Sequence, residues 1–229
     1  VRLQAEDENS MIGVSSPVTL QNLAMDMAIA GSNRDILGSA VQECDAAWID
    51  NEFATYAWYY AVGRQLCPHR ILEPHRILEL GTRFGYSLLA MAKGAVSAGT
   101  RKPQLVSIDG EVDGHPCNSI ARDNILTGVS ADLYQLNLNT QTLNILALAK
   151  SVNSAFDLVH VDGDHSETGI LRELHIASVM VADGGSILVD DIDIPHVYEA
   201  AQRMADHLKR EMLILPTQHR MGLIQECYF

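Results

Sequence analysis

Two stretches concentrate groups that can do chemistry. FDLVHVDGDHSETG, residues 156–169, carries His160, Asp162, Asp164 and His165, and GGSILVDDID, residues 184–193, carries Asp190, Asp191 and Asp193. In each, an apolar run of strand character is followed at once by carboxylates. If the two runs lie side by side in one sheet, ~4.8 Å apart, then Asp162, Asp190 and Asp191 converge at its rim. Carboxylates that close repel one another unless protons or a cation intervene. A hard divalent ion such as Mg²⁺, held by a few carboxylates, substrate oxygens and water, resolves the repulsion. Asp164 and Asp193 are assigned a plainer role, capping the helices expected from Glu167 and Pro195. His160, inside the apolar run, is read as a core histidine, whereas His165 stands on the rim beside the expected cation.

A third stretch, ELGTRFGYS from Glu79 to Ser87, pairs an acidic residue with a glycine-bearing turn. A dinucleotide fingerprint would need glycine at Arg83, where the backbone must approach pyrophosphate, so the turn disfavours nicotinamide or flavin. It suits a nucleoside-type ligand without phosphates, because Glu79 would repel phosphate and welcome an ammonium group. Asp109 ends another apolar run, about 28 residues after Gly81, where a carboxylate can accept hydrogen bonds from both hydroxyls of a ribose.

These residues need a scaffold that brings them to one edge. After Pro74 strand-like and helix-like segments alternate, the pattern of a parallel sheet with crossover helices. Strands are expected at Arg76–Leu80, Gln104–Asp109, Asp132–Leu136, Phe156–Asp162 and Ser186–Asp190. Helices are expected at Tyr86–Ala98, Cys117–Leu126, Thr140–Val152, Glu167–Val181 and Pro195–Arg210. In such sheets ligands bind beyond the carboxyl ends of the strands, where the carboxylates above are placed. The tail MLILPTQHRMGLIQ has two short apolar runs around Pro216–Gln218, which predicts a closing hairpin with one antiparallel strand.

Upstream, residues 1 to about 40 hold Ser-Ser-Pro and Gly-Ser-Asn breakers and read as a mobile arm with one short helix around Leu20–Ala30. From Glu43 to Leu66 a helix rich in aromatics (Trp48, Phe53, Tyr56, Trp58, Tyr59, Tyr60) is expected to pack on the main domain, with some rings covering substrate. The hexapeptide PHRILE occurs twice in succession, at 68–73 and 74–79, too short and too few for a solenoid. Only the second copy runs into the glycine turn, so the repeat marks a boundary: an arm and helical cap over 1–73, and a ligand-binding domain over 74–229.

The acidic residue, the glycine turn and Asp109 together resemble the class I S-adenosylmethionine-dependent methyltransferases over residues 74 to 226. That resemblance implies a Rossmann-like α/β fold, a seven-stranded, mostly parallel sheet in the order 3-2-1-4-5-7-6 with helices on both faces and an N-terminal helical extension. It implies that Glu79, Gly81 and Gly85 contact the methionine end of S-adenosylmethionine, Asp109 the ribose, and Leu138 and Asn139 the adenine, with Thr82, Arg83, Ser87 and Asp162 also binding the cofactor. Asp162, Asp190 and Asp191 resemble the ligands of the divalent-metal O-methyltransferases, a group that includes catechol and macrolide-sugar enzymes. The group places a Lys or His general base three residues after the first of these, which gives His165 that role beside Asp162. The implied activity is methyl transfer to a small-molecule hydroxyl, phenolic or glycosidic.

Bulk composition bounds these readings. At 229 residues, 47% hydrophobic and 20% charged, the chain is an ordinary globular protein with one main domain. A net charge of -13 with no Lys/Arg block excludes nucleic acid as the expected partner. Cys44, Cys67, Cys117 and Cys227 form no C-x-x-C pair, so neither a zinc ribbon nor a disulfide scaffold is expected. With no apolar run long enough to span a membrane and an acidic, polar VRLQAEDENS start, a cytoplasmic protein without membrane partners is expected, as a homo-oligomer. His115, Asp113 and Glu111 are read as a solvated loop. Two other readings stay open: a metal-independent N- or O-methyltransferase whose aspartates bind an amine, and a non-catalytic binding protein of the same fold.

Overall fold

The computed structural model describes residues 18–38, 49–50, 54–66, 75–110, 117–142, 144, 147–148 and 155–226. Within them a seven-stranded sheet forms the centre: β1 Arg76–Leu80, β2 Gln104–Asp109, β3 Asp132–Asn137, β4 Phe156–Val161, β5 Val181–Val189, β6 Glu211–Leu215 and β7 Met221–Gln225. The spatial order is β3-β2-β1-β4-β5-β7-β6. The β1–β2, β1–β4, β2–β3 and β4–β5 pairs are parallel, and β7 runs antiparallel to both β5 and β6. The closing hairpin and the single antiparallel strand are thus where the sequence predicts them. β5 is longer than expected, because Val181 already pairs with Phe156 ahead of a register shift in the ladder.

Helices cover both faces. On one lie α1 Leu20–Ala30, α2 Asn33–Leu37, α3 Thr55–Gln65, α4 Tyr86–Ser97 and α5 Cys117–Gly128; on the other lie α6 Glu167–Met180 and α7 Pro195–Leu208. The strands supply the two cores by simple alternation. Ile77, Leu105, Leu158, Leu188 and Leu223 face the α3–α4 layer, while Leu78, Leu80, Val106, Val159, Ile187 and Val189 face α6 and α7.

The helix expected over 43–66 is not continuous. Ala54 adopts a left-handed conformation at φ 53°, and α3 begins only at Thr55. Residues 18–38, expected within a mobile arm holding one short helix, form two helices, and their Leu23, Ile36 and Leu37 are buried in the α3–α4 core. Gln225 on β7 ties this segment down, accepting from the Val18 amide at 3.1 Å and donating to the Val18 carbonyl at 2.8 Å. Trp48, Phe53, the first PHRILE copy with Pro74, the loop carrying Glu111, Asp113 and His115, and most of the helix expected over 140–152 lie outside the described residues.

α3 sits close against α4 because each offers the other a glycine. A Cβ on Gly63 would overlap the Met91 carbonyl, and one on Gly94 would overlap the Tyr60 carbonyl. Two helices whose backbones approach this closely fix each other's height and rotation, and that sets where the aromatic side chains of α3 end up.

Candidate active site

The carboxylates converge because of register. Val161 pairs with Val189 across β4 and β5, and the Asp190 amide donates to the Val161 carbonyl at 3.0 Å, so Asp162 and Asp190 follow as neighbours on the same edge. β1 joins the same edge: the Asp162 amide donates to Leu80 and the Gly81 amide to Ile108, both at 2.9 Å. Gly81, at φ 87°, lets the turn pass against the chain leaving β4; a Cβ there would overlap the Asp162 carbonyl. Asp191 also has a left-handed backbone, at φ 54°, which Asp tolerates better than most residues. Its amide donates to Asp190 Oδ1 at 2.9 Å, closing the turn on the rim.

His165 stands between two of the aspartates. Its Nδ1 is 3.2 Å from Asp191 Oδ2 and its Nε2 is 3.6 Å from Asp162 Oδ1. The contact with Asp162, reinforced by Asp191 and opposed by partial burial, pushes the imidazole up to about 9. The carboxylates move the same way: burial raises Asp162, burial and then Asp162 raise Asp190, and burial and then Asp190 raise Asp191. Such a group of anions gathered in low dielectric has a deficit of positive charge.

Potential metal ligands fall into triplets whose donor atoms lie within 4.8 Å of one another: Asp162 with His165 and Asp191, Asp162 with His160 and Asp190, and Asp191 with Asp193 and His219. The three aspartates expected as one ligand set therefore sit in overlapping groups that share Asp162 or Asp191. Asp190 is further engaged by α3, since the Tyr59 hydroxyl donates to its Oδ2 at 2.6 Å. Burial, then the Asp190 and Asp162 charges, hold the Tyr59 phenol well above its usual range, so it stays a donor.

His160 is no bystander in an apolar core. It pairs in register with Glu79 on β1, with Nδ1 2.8 Å from Glu79 Oε1, and Tyr59 meets it edge-on at 5.0 Å between ring centroids. Ser87 Oγ donates to the same Glu79 oxygen at 2.6 Å. Glu79 is fully buried rather than on the wall of the cleft, and it touches that wall through Ser87. The signal that finds His160 is period two: it lies two residues before Asp162 and so on the same face of the strand. Nothing in the α3 sequence marks Tyr59 over its aromatic neighbours.

A cleft of about 1360 Å³ runs along this edge. Gly81, Thr82, Arg83, Gly85 and Ser87 line one end with Asp109, Gly110 and Asn139, and Asp162, His165, Asp190, Asp191 and His219 line the other. Asp109 accepts from the Arg83 amide at 2.7 Å, which ties the β2 end to the turn. Leu138 is 39% exposed and does not line the cleft, whereas Asn139, Thr140 and Gln141 do. Glu173, which the sequence did not single out, reaches the wall from α6, its Oε1 accepting from Thr140 Oγ1 at 2.7 Å and from the Asp164 amide at 3.1 Å. The expected caps differ too. Ser166 caps α6 by accepting from Gly169, while Asp164 accepts from the Ser166 amide one turn earlier. α7 starts at Pro195 with no side-chain cap, and Asp193 lies 3.7 Å from His219 instead.

Sheet order, glycine turn and acidic strand ends define the Rossmann-like fold of the class I methyltransferases. The chain belongs to the methyltransferase-domain family, whose profile matches residues 78–192, and is an S-adenosylmethionine-dependent methyltransferase. Similar solved structures cover the N-terminal helices as well. The apo form of CalS11, a TDP-rhamnose 3'-O-methyltransferase of calicheamicin biosynthesis, has a TM-score of 0.57 at 14% identity over 92% of this chain and 87% of its own. TomG, an O-methyltransferase of tomaymycin synthesis from Streptomyces achromogenes, solved with S-adenosylmethionine, has a TM-score of 0.56 at 16% identity over 91% and 96%. The methyltransferase PaMTH1 of Podospora anserina, solved with S-adenosylhomocysteine, has a TM-score of 0.55 at 17% identity over 93% and 98%. None of the curated proteins matches the sequence. Among the described residues no helix is long and apolar enough to cross a membrane.

Proposed function

We propose that the protein is a divalent-metal-dependent O-methyltransferase that moves the methyl of S-adenosylmethionine to a hydroxyl of a small molecule, a natural product, sugar or phenol. The observation that carries the reading is the convergence of Asp162, Asp190 and Asp191 around His165, at the far end of the cleft from the glycine turn. The O-methyltransferase activity of CalS11 and TomG, proteins with the same fold, supports it.

The turn suits S-adenosylmethionine. Gly81, Thr82, Arg83, Gly85 and Ser87 leave backbone at the cleft wall, and Asp109, held by the Arg83 amide, presents a carboxylate where a ribose would lie. Asn139 completes that end, with Leu138 behind it. The bound sulfonium supplies an electrophilic methyl, and the oxygen–carbon bond forms as the sulfur–carbon bond breaks. S-adenosylhomocysteine leaves as a neutral thioether.

The other end suits a divalent cation, Mg²⁺ or another, because burial raises all three carboxylates, with Glu79 adding to it at Asp162, Asp162 at Asp190 and Asp190 at Asp191, while the charges that offset them come from His160, His165 and His219. Asp162, Asp190 and Asp191 would hold it, and it supplies Lewis acidity that makes a nearby hydroxyl easier to deprotonate. His165, within reach of the same space, accepts the hydroxyl proton in its neutral form. Asp162 and Asp191 orient the ring, and Tyr59 holds Asp190 from the opposite side. Lining up acceptor and methyl supplies much of the rate.

The test is transfer of labelled methyl from S-adenosylmethionine to a panel of glycosides and catechols. EDTA is expected to abolish turnover and a divalent cation to restore it, with Asp191→Asn losing most activity at saturating S-adenosylmethionine. His165→Gln should lower kcat by about 10²-fold or more. Turnover that persists in EDTA and in Asp191→Asn would overturn the metal reading in favour of a metal-independent enzyme.

A further inference from the structure

The pair formed by Glu79 and His160 is more than a buried contact. Both side chains are 0% exposed, and they share a single link, from Glu79 Oε1 to His160 Nδ1 at 2.8 Å. That link orients the ring, and a carboxylate on Nδ1 favours the tautomer with the proton there, in which Nε2 keeps its lone pair. Nε2 is buried and has no hydrogen-bond partner among the described residues. A ring nitrogen of His160 and one oxygen each of Asp162 and Asp190 nonetheless lie within 4.8 Å of one another. In the Nδ1–H tautomer that nitrogen offers a lone pair beside two carboxylates in a buried space, a set of acceptors that a cation at its centre would satisfy.

A carboxylate on one imidazole nitrogen with the other turned towards acidic ligands is how proteins orient and strengthen a metal-binding histidine. Tyr59 adds to the support, lying edge-on to the His160 ring and donating to Asp190 Oδ2 at 2.6 Å, so two members of the triplet are held from the same helix. We propose that His160 is a metal ligand, its Nε2 joining Asp162 and Asp190 around a divalent cation on the inner side of the rim, with Glu79 positioning the ring. One nitrogen among oxygens shifts the preference from Mg²⁺, which favours all-oxygen sites, to first-row ions such as Mn²⁺, Fe²⁺, Co²⁺ or Zn²⁺. His165 is then left to act on the acceptor rather than on the metal. The inference rests on the reading that these aspartates bind a cation, and it adds which atoms complete the site and which ions it selects.

The experiment is Mn²⁺ titration of the full chain, with binding read by electron paramagnetic resonance and directly bound nitrogen read by pulsed methods. The wild type is expected to bind Mn²⁺ with a nitrogen coupling that changes on ¹⁵N-histidine labelling, and to bind Mn²⁺ at least 10-fold more tightly than Mg²⁺. His160→Gln should lose the coupling and weaken Mn²⁺ binding by roughly 10- to 100-fold, and Glu79→Gln should weaken binding by a smaller factor in that range. His165→Gln and His219→Gln should keep the coupling, which identifies the histidine even if His160→Gln does not fold. Mn²⁺ bound without nitrogen coupling, or a coupling lost in His165→Gln, overturns the proposal and leaves the metal-dependent reading standing. Absence of Mn²⁺ binding overturns both. A nitrogen-bound Mn²⁺ to which methyl transfer is indifferent overturns the metal-dependent reading alone.

Discussion

At the scale of single residues the site is an anion cluster with too little positive charge, and the protonation of His165 follows from it. Its pKa in the folded protein, about 9, lies above the ~6.5 of an unfolded histidine. The proton-bound form therefore stabilises the fold fully below pH 6.5, and this contribution is lost as pH rises through 9. The raised aspartates act in the same direction at lower pH, because their buried charges weaken the fold once they ionise. The melting temperature in EDTA should thus fall as pH rises from 6 to 9.5. His165→Gln should flatten that slope, and saturating Mn²⁺ should raise the melting temperature most at the alkaline end. Gly81 carries the other residue-scale prediction. Alanine there meets both a φ of 87° and the Asp162 carbonyl, so Gly81→Ala should destabilise the fold by more than ~1 kcal/mol and weaken S-adenosylhomocysteine binding, measured by denaturation and calorimetry.

At the scale of elements, the point of interest is that a helix outside the family match reaches into the site. α3 brings Tyr59 to Asp190 only because Gly63 and Gly94 let it lie close against α4. Gly94→Ala must push the two helices apart, since its Cβ would overlap the Tyr60 carbonyl. The expected outcome is a protein that still folds, melts several degrees lower and loses activity to at least the extent of Tyr59→Phe. Steady-state rates of the two variants, compared with their melting curves, check this. If Gly94→Ala keeps wild-type rates, α3 has no part in the site. Much of the strand layout was legible beforehand, because β1 and β2 have the predicted limits and the tail hairpin follows from two apolar runs about Pro216. The break at Ala54 was not legible, because alanine is a good helix former and a left-handed alanine is disfavoured by its own Cβ.

At the scale of the molecule, one cleft is bounded by the β1 turn, the ends of β4 and β5, and α3, so a ligand that fills it bridges both sequence halves. S-adenosylhomocysteine at about 100 times its Kd should add ~2.7 kcal/mol of stability and raise the melting temperature by roughly 5–10 °C. Thermal denaturation with and without the ligand measures it; a shift near zero would mean that the cleft does not take the nucleoside.

The sequence by itself determined the sheet and its acidic edge, because alternation and strand-end residues are local patterns that need no partner to be read. It also brought Asp162 beside Asp190, since adjacent parallel strands in register leave the residues that follow them side by side. Only the tertiary structure decided what each group faces. Glu79 was expected to touch the cofactor and is buried off the cleft wall; His160 was expected in an apolar core and lies beside Glu79 and near two aspartates; Tyr59 was one of several rings and, among the described residues, is the ring that hydrogen-bonds Asp190. Those outcomes depend on the distance between helices and on which side of β1 and β4 is covered by α3 and α4. Such distances come from contacts between residues far apart in the chain, and no spacing along it encodes them.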